Sequence, residues 1–288
     1  MEKYYRFADV ELSVRISDDM MYTNDLTLKE FRTDHVTDPH CYNVTVVSEI
    51  PQPEGPELAV MPGVRVYGLE GGYSRYQGPV ESDPQCAYMR TIHRGRQHEV
   101  QVKESLVTSF ISARVVLNSL DVEHLVASTG GMILHGACID YNGRAIVFTA
   151  PSGTGKSTQA QLWMTHRNAR IINGDRVVLM EKEGQFFAAG LPFAGSSEYC
   201  ENVTLPLAAV VYLRQAPVTS IRTLRNREAF RNIWEGCSVN AWNRDDTECT
   251  LKLTEKLLTQ VSIYELACTP DESAVDALEF QLRKQGEL

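Results

Sequence analysis

Apolar and polar residues alternate with a period of two in "DVELSVRI" (residues 9–16), and "YNVTVVSEI" (42–50) is rich in β-branched residues. Both stretches read as β-strands. "PQPEGPE" (51–57) is a loop by composition, and "GLEGGYSRYQG" (68–78) is punctuated by glycine. The first hundred or so residues therefore read as short strands joined by turns. The period changes near residue 104. In "ESLVTSFISARVVLNSLDVEHLVA" (104–127), Leu106, Phe110, Ala113, Leu117 and Leu120 recur at helical spacing, which predicts an amphipathic helix ended by "STGG" (128–131).

Beyond it, "MILHGACIDYNGRAIVFTA" (132–150) reads as two strands joined by an Asn142-Gly143 turn. "STQAQLWMT" (157–165) reads as a helix, and "ARIINGD" (169–175) as a buried strand ending in an acid. "LPLAAVVYL" (205–213) and "SIYELAC" (262–268) read as strands, "LRNREAFRNIWEG" (224–236) and "TEKLLTQV" (254–261) as helices. The last helix is predicted to start with Thr269 as N-cap, Pro270 as first helical residue and Glu272 completing a capping box. Alternating strands and helices predict an α/β fold for residues 104–288, preceded by a β-rich region over 1–103.

Composition refines this picture. The chain has 288 residues, is 43% hydrophobic and carries a net charge of -9, which argues against a nucleic-acid partner. The basic run "RTIHRGRQH" (90–98) reads as a solvated loop or strand edge. No apolar run suits a signal peptide or a membrane span, so no membrane association is expected. The seven cysteines are scattered and never spaced C-x-x-C, which predicts reduced thiols in a cytoplasmic protein, with Cys138 and Cys268 in the core.

The chemistry concentrates in "APSGTGKS" (150–157). It matches the phosphate-cradle pattern G-x-x-x-x-G-K-[ST], with Ala150 in place of the first glycine. Gly153 and Gly155 permit backbone conformations closed to other residues, and successive amides from Ser152 onward form an anion nest at a helix N-terminus. Lys156 supplies charge for β and γ phosphates, Ser157 a hydroxyl for Mg²⁺, and Thr158 a further hydroxyl at the phosphate end. The alanine matters only if its position needs a positive φ. Asp175, at the carboxyl end of its strand, is the acid placed to help hold the metal; Asn-Gly-Asp is also good turn chemistry.

"LHGACIDYNGRAIVFTAPSGTGKSTQAQLW…ARIINGDR" resembles the catalytic core of HPr kinase/phosphorylase, a branch related to ATP-dependent phosphoenolpyruvate carboxykinase. A His-Gly pair precedes a hairpin, the hairpin enters the cradle, and an acid follows one helix and one strand later. The resemblance implies a P-loop kinase core, with His135 matching the family's histidine beside the catalytic acid and Asp175 matching one acid of its adjacent pair. His135 is equally readable as a core histidine. Gly174 stands where the pair's other acid would be, with Glu198 and Glu201 as loop candidates to assist. The family's Glu-x-Arg-Gly-Leu-Gly stretch is missing, and "GLPFAG" (190–195) is a distant echo. Arg176, Arg214 and Arg244 are cations that could neutralise transition-state charge.

The resemblance thus implies a Mg²⁺- and ATP-dependent kinase with catalytic residues Asp175, His135 and Lys156, a nucleotide cradle over Ser152–Thr158, and metal ligands Ser157 and Asp175. Its acceptor would be a hydroxyl, on a protein or peptide serine or a small alcohol, and the family is often oligomeric. Two other readings stay open. A carboxykinase-like lyase would want a carboxylate-binding arginine and a metal-binding lysine and histidine that cannot be placed. A non-catalytic nucleotide sensor is consistent with Gly174. Residues 1–103 are expected to recognise the acceptor or mediate assembly.

Overall fold

The computed structural model describes residues 2–16, 26–78, 86–106, 119–193, 195 and 199–288. The chain divides into two compact units, Met1–Val122 and Glu123–Leu288. The first contains β1 (Glu2–Phe7), β2 (Val10–Ile16), a short helix α1 (Leu26–Lys29), β3 (Arg32–Thr33), β4 (His40–Val47), β5 (Glu57–Met61), β6 (Val64–Leu69), β7 (Gly72–Gln77), β8 (Met89–Arg94) and β9 (Gln97–Lys103). They form one sheet in the order β3-β1-β2-β4-β9-β8-β7-β6-β5. Alternation buries Leu12 and Val14 of β2, while Phe7 and Phe31 meet edge to face.

The basic run at 90–98 is only partly solvated. It is the β8–β9 hairpin: β8 is buried on both faces from Met89 to His93, so Arg90 and His93 are buried, as is His98 across from His93, while Arg94–Gln97 stay exposed at the tip. These histidines join a buried ring cluster, with His40 Nδ1 3.0 Å from His98 Nε2 and His93 Nδ1 3.1 Å from His98 Nδ1.

The helix expected over 104–127 is also corrected. A 3₁₀ turn covers Glu104–Leu106, and α2 (Val122–Ser128) starts only after Asp121, whose φ of 48° interrupts any continuous helix. Phe110, Ala113 and Leu117 lie outside the described residues.

The second unit continues with β10 (Met132–Tyr141), β11 (Arg144–Thr149), α3 (Lys156–Arg167), β12 (Arg170–Asn173), β13 (Arg176–Lys182), β14 (Gln185–Gly190), β15 (Thr204–Gln215), β16 (Ser220–Thr223), α4 (Asn226–Trp234), β17 (Cys237–Ser238), α5 (Arg244–Gln260), β18 (Ser262–Cys268) and α6 (Glu272–Lys284). The architecture is mixed α/β and rich in sheet. Asn142 (φ 54°) and Gly143 (φ 79°) give the expected hairpin turn, and the Asp140 carboxylate accepts the Gly143 N–H at 2.9 Å. Helix α6 begins later than its sequence suggests. Asp271 is the N-cap, accepting from the Ser273 amide, because its extended backbone and carboxylate suit the role better than Thr269, whose hydroxyl instead bonds Asp271.

Strand β10 changes partners midway. Met132–His135 pair with β13, whereas Gly136–Tyr141 pair with β11, and Cys138–Asp140 also pair with β12. Beyond β11, parallel pairing to β15 and then β18 extends the ladder. The strand order β12-β10-β11-β15-β18 therefore carries four strands running one way and β10 running the other. The carboxyl ends of β12, β11, β15 and β18 meet at one edge, where ligands sit in open α/β sheets. Trp163 of α3 is fully buried against Tyr141, with Leu278 and Leu282 of α6 in the same core. Each fully buried leucine there contributes about 1.5–3 kcal/mol.

Candidate functional site

The turn from β11 into α3 is built by two glycines. Gly153 (φ 78°) and Gly155 (φ 119°) hold backbone conformations that a side chain resists, although a Cβ at either would touch nothing. Ala150 has no positive φ, so its departure from the glycine pattern costs no strain. Gly155 is the N-cap of α3 and makes no side-chain cap bond, so the first amides of the helix have no partner within it. Gln215 at the end of β15 donates to the Thr154 carbonyl at 3.4 Å, tying the loop to the sheet edge.

Lys156 folds back over this loop. It is buried, and its Nζ donates to the carbonyls of Ala150 at 3.0 Å and Pro151 at 3.3 Å. Burial pulls its ammonium below the ordinary lysine range, with Asp175 opposing that shift. Ser157 and Thr158 are exposed beside it, as is Ser152. Converging amides, a helix N-terminus and one ammonium suit an anion such as a phosphate.

Asp175 stands just past β12, held by a polar staple. The fully buried Asn173 accepts the amides of Asp175 and Arg176 at 2.9 and 3.0 Å, and donates to the carbonyls of Leu191 and Phe193, both at 2.9 Å. His135 sits where β10 changes partners, and the next residue, Gly136, donates its amide to the Asp175 carbonyl at 2.9 Å. His135 Nδ1 consequently lies 3.6 Å from Asp175 Oδ1. Burial first, and the Lys156 charge second, lower the imidazole pKa from its ordinary 6.5, while Asp175 works the other way. The imidazole is therefore neutral at pH 7.

Of the three arginines, Arg176 stands beside Asp175, its Nε 3.6 Å from Oδ2, and it also reaches Glu123 at 3.3 Å. Arg214 lies on the other flank of the loop, and Arg244 is an exposed partner of Glu248 on α5. Glu201 pairs with Arg170 at 3.2 Å, and Glu198 lies outside the described residues. No group of three or more His, Cys, Asp or Glu among the described residues could hold a metal by itself.

A cleft of about 650 Å³ opens on the β15–β18 flank of the loop, lined by Gly155, Gln159, Gln215, Pro217 and Cys268 among others. Sequence reasoning found the loop and its acid. It missed the Asn173 staple and Gln159, which carry no motif; Asn-Gly-Asp as turn chemistry was the one available signal for Asn173.

All seven cysteines are free, with Cys138 and Cys268 buried. Among the described residues no helix is long and apolar enough to cross a membrane. A family model described as SynChlorMet cassette protein ScmC matches residues 102–269, more than half of the chain. The HPr(Ser) kinase/phosphatase from Coxiella burnetii is weakly similar in structure, at 9% identity and a TM-score of 0.33, covering 54% of this chain and 98% of its own. Among curated proteins no match is found.

Proposed function

We propose that this chain, which belongs to the SynChlorMet cassette protein ScmC family, is an ATP-dependent phosphotransferase with a P-loop core of HPr kinase type, acting on a hydroxyl, most readily a serine of a protein or peptide. The observation that carries the reading is the convergence of the Gly153–Gly155 loop, Lys156, His135 and Asp175 at one sheet edge.

Phosphoryl transfer asks mainly for positioning and charge neutralisation. The loop amides and Lys156 hold the β and γ phosphates. The acceptor oxygen forms its bond to the γ-phosphorus as the bond from that phosphorus to the β,γ-bridging oxygen breaks, and the electron pair leaves with ADP. Asp175 orients the acceptor hydroxyl and takes its proton, with His135 Nδ1 3.6 Å from its carboxylate. Mg²⁺ fits this residue set. Magnesium usually keeps waters and binds through one or two carboxylates plus substrate phosphates, which agrees with a site of one serine and one aspartate. Ser157 and Asp175 would hold it, and it would neutralise phosphate charge. Residues 104–288 bind the nucleotide, and residues 1–103 serve acceptor recognition or assembly.

The test is ³¹P NMR of the protein with Mg-ATP and serine-containing peptides or small alcohols. Loss of the γ-phosphorus signal with appearance of ADP and a phosphoester supports the reading. ATP that binds but stays intact with every acceptor would assign the chain to nucleotide sensing instead.

A further inference from the structure

The loop has two flanks, and they differ chemically. On one side lie β10 and β12, which bring His135 and Asp175 to the edge. On the other lie the carboxyl ends of β15 and β18, parallel to β11, with the cleft between them. A nucleoside triphosphate is equally polar in layout: its reacting γ end is charged, and its far end is a flat base. Once the γ-phosphate faces Asp175, the base falls on the cleft side.

The cleft suits a base rather than more phosphate. Pro217 and Pro270 offer apolar ring faces, and Ala216 and Leu213 add to that wall. Its volume lies within the roughly 300–1,000 Å³ usual for small-molecule sites. Thr154, Thr158, Arg214, Gln215 and Thr269 add polar groups to the lining, and among its polar residues Gln159 is the buried one. Gln159, on the first turn of α3, is only 2% exposed, yet it lines the cleft. Its Nε2 donates to Cys268 Sγ at 3.3 Å, and its Oε1 is buried with no hydrogen-bond partner among the described residues. Buried side-chain amides nearly always have both ends satisfied, so an acceptor left open at the floor of a cleft calls for a donor from outside the chain. The Cys268 thiol is pushed up chiefly by burial, so it stays protonated and serves as a neutral neighbour that fixes the amide.

We propose that this cleft is the base-binding subsite of the nucleotide and that the Gln159 amide is its specificity-determining contact, accepting from an N–H on the edge of the base. The inference rests on the phosphate-binding reading of the adjoining loop. A base lacking a donor at the matching place leaves Oε1 unpaired, and such a mismatch discriminates far better than a gap in an apolar wall.

The test is calorimetric titration of the full chain with Mg²⁺ complexes of ATP, GTP and inorganic tripolyphosphate. Wild type is expected to bind one nucleoside triphosphate at least tenfold more tightly than the other and than tripolyphosphate. Gln159→Leu removes that preference while tripolyphosphate affinity stays within about twofold. Ala216→Trp, which fills the rim without touching the buried amide, lowers nucleotide affinity toward that of tripolyphosphate and guards against a folding defect in the first variant. Equal affinity of wild type for both nucleotides and tripolyphosphate, or an unchanged preference in Gln159→Leu, overturns the subsite. Failure of wild type to bind any of the three ligands overturns the phosphate-binding reading instead.

Discussion

His135 Nδ1 lies 3.6 Å from Asp175 Oδ1, although His135 is on β10 and Asp175 lies just past β12, with β11, the loop and helix α3 between them in the sequence. The contact follows from the topology. β10 runs opposite to β12, so the middle of the first and the end of the second reach the same edge. The Asn173 staple then fixes the turn that presents the carboxylate.

The imidazole should report on its neighbours. Lys156→Met removes a charge that lowers the His135 pKa, so the pKa should rise; Asp175→Asn removes one that raises it, so the pKa should fall. Imidazole proton shifts followed by NMR across pH 4–8 check both directions. The sign for stability follows as well. A folded pKa below 6.5 means that the unfolded chain takes up this proton first as pH falls. The stabilising contribution is present in full above pH 6.5 and is lost as pH drops from there toward the folded value. His135→Gln should flatten that part of a melting-temperature profile.

The staple carries a structural prediction. Asn173→Asp keeps an acceptor for the two amides but loses the donor to Leu191 and Phe193, and places a charge at a fully buried position. Leaving buried groups unsatisfied costs about 1–3 kcal/mol each. Chemical denaturation should show a loss of at least that size, with phosphotransfer falling further than ATP affinity.

The glycines should separate by conformation and by contact. A Cβ at Gly153 or Gly155 meets nothing, so alanine there costs only backbone strain, about 1–2 kcal/mol. A Cβ at Gly136 would come within 2.8 Å of the Phe148 carbonyl in the facing strand. Gly136→Ala should therefore lower stability by about 1–3 kcal/mol through displacement of the hairpin. Gly155→Ala should impair nucleotide binding with a smaller stability loss. Unfolding curves and nucleotide titrations distinguish the two patterns.

Much of the second unit is legible in the sequence because its signals are local. The Asn142-Gly143 turn, the Gly153–Lys156 loop and the apolar run of β15 each declare themselves within a few residues. Pairings between distant segments are not written that way. Nothing in "MILHGACIDY" states that β10 exchanges β13 for β11 at Gly136, and that exchange places His135. Gln159 likewise reads as an ordinary helix residue until the end of β18 brings Cys268 against it. Around Asp121, helical periodicity was overridden by a single left-handed residue. At 90–98, charged composition concealed a strand covered on both faces, which buries Arg90 and His93, with His98 buried across from His93.

Lys156 should contribute to affinity more than to stability. Its ammonium is buried and bonded only to two carbonyls of the loop among its described contacts, so Lys156→Met trades a desolvated charge for an apolar side chain of similar length. ATP affinity should fall about tenfold to a hundredfold, the range of a lost charge-assisted bond of about 1.5–3 kcal/mol. Thermal unfolding without nucleotide should shift by no more than a few degrees.

The most direct test is ADP release from Mg-ATP by wild type and Asp175→Asn, measured alongside ATP affinity with the same acceptor present. The account predicts that Asp175→Asn binds ATP within a few-fold of wild type and releases ADP about 10²–10⁴ times more slowly, the span expected for a lost general base. Equal rates of ADP release from the two proteins, at equal affinity, would contradict it.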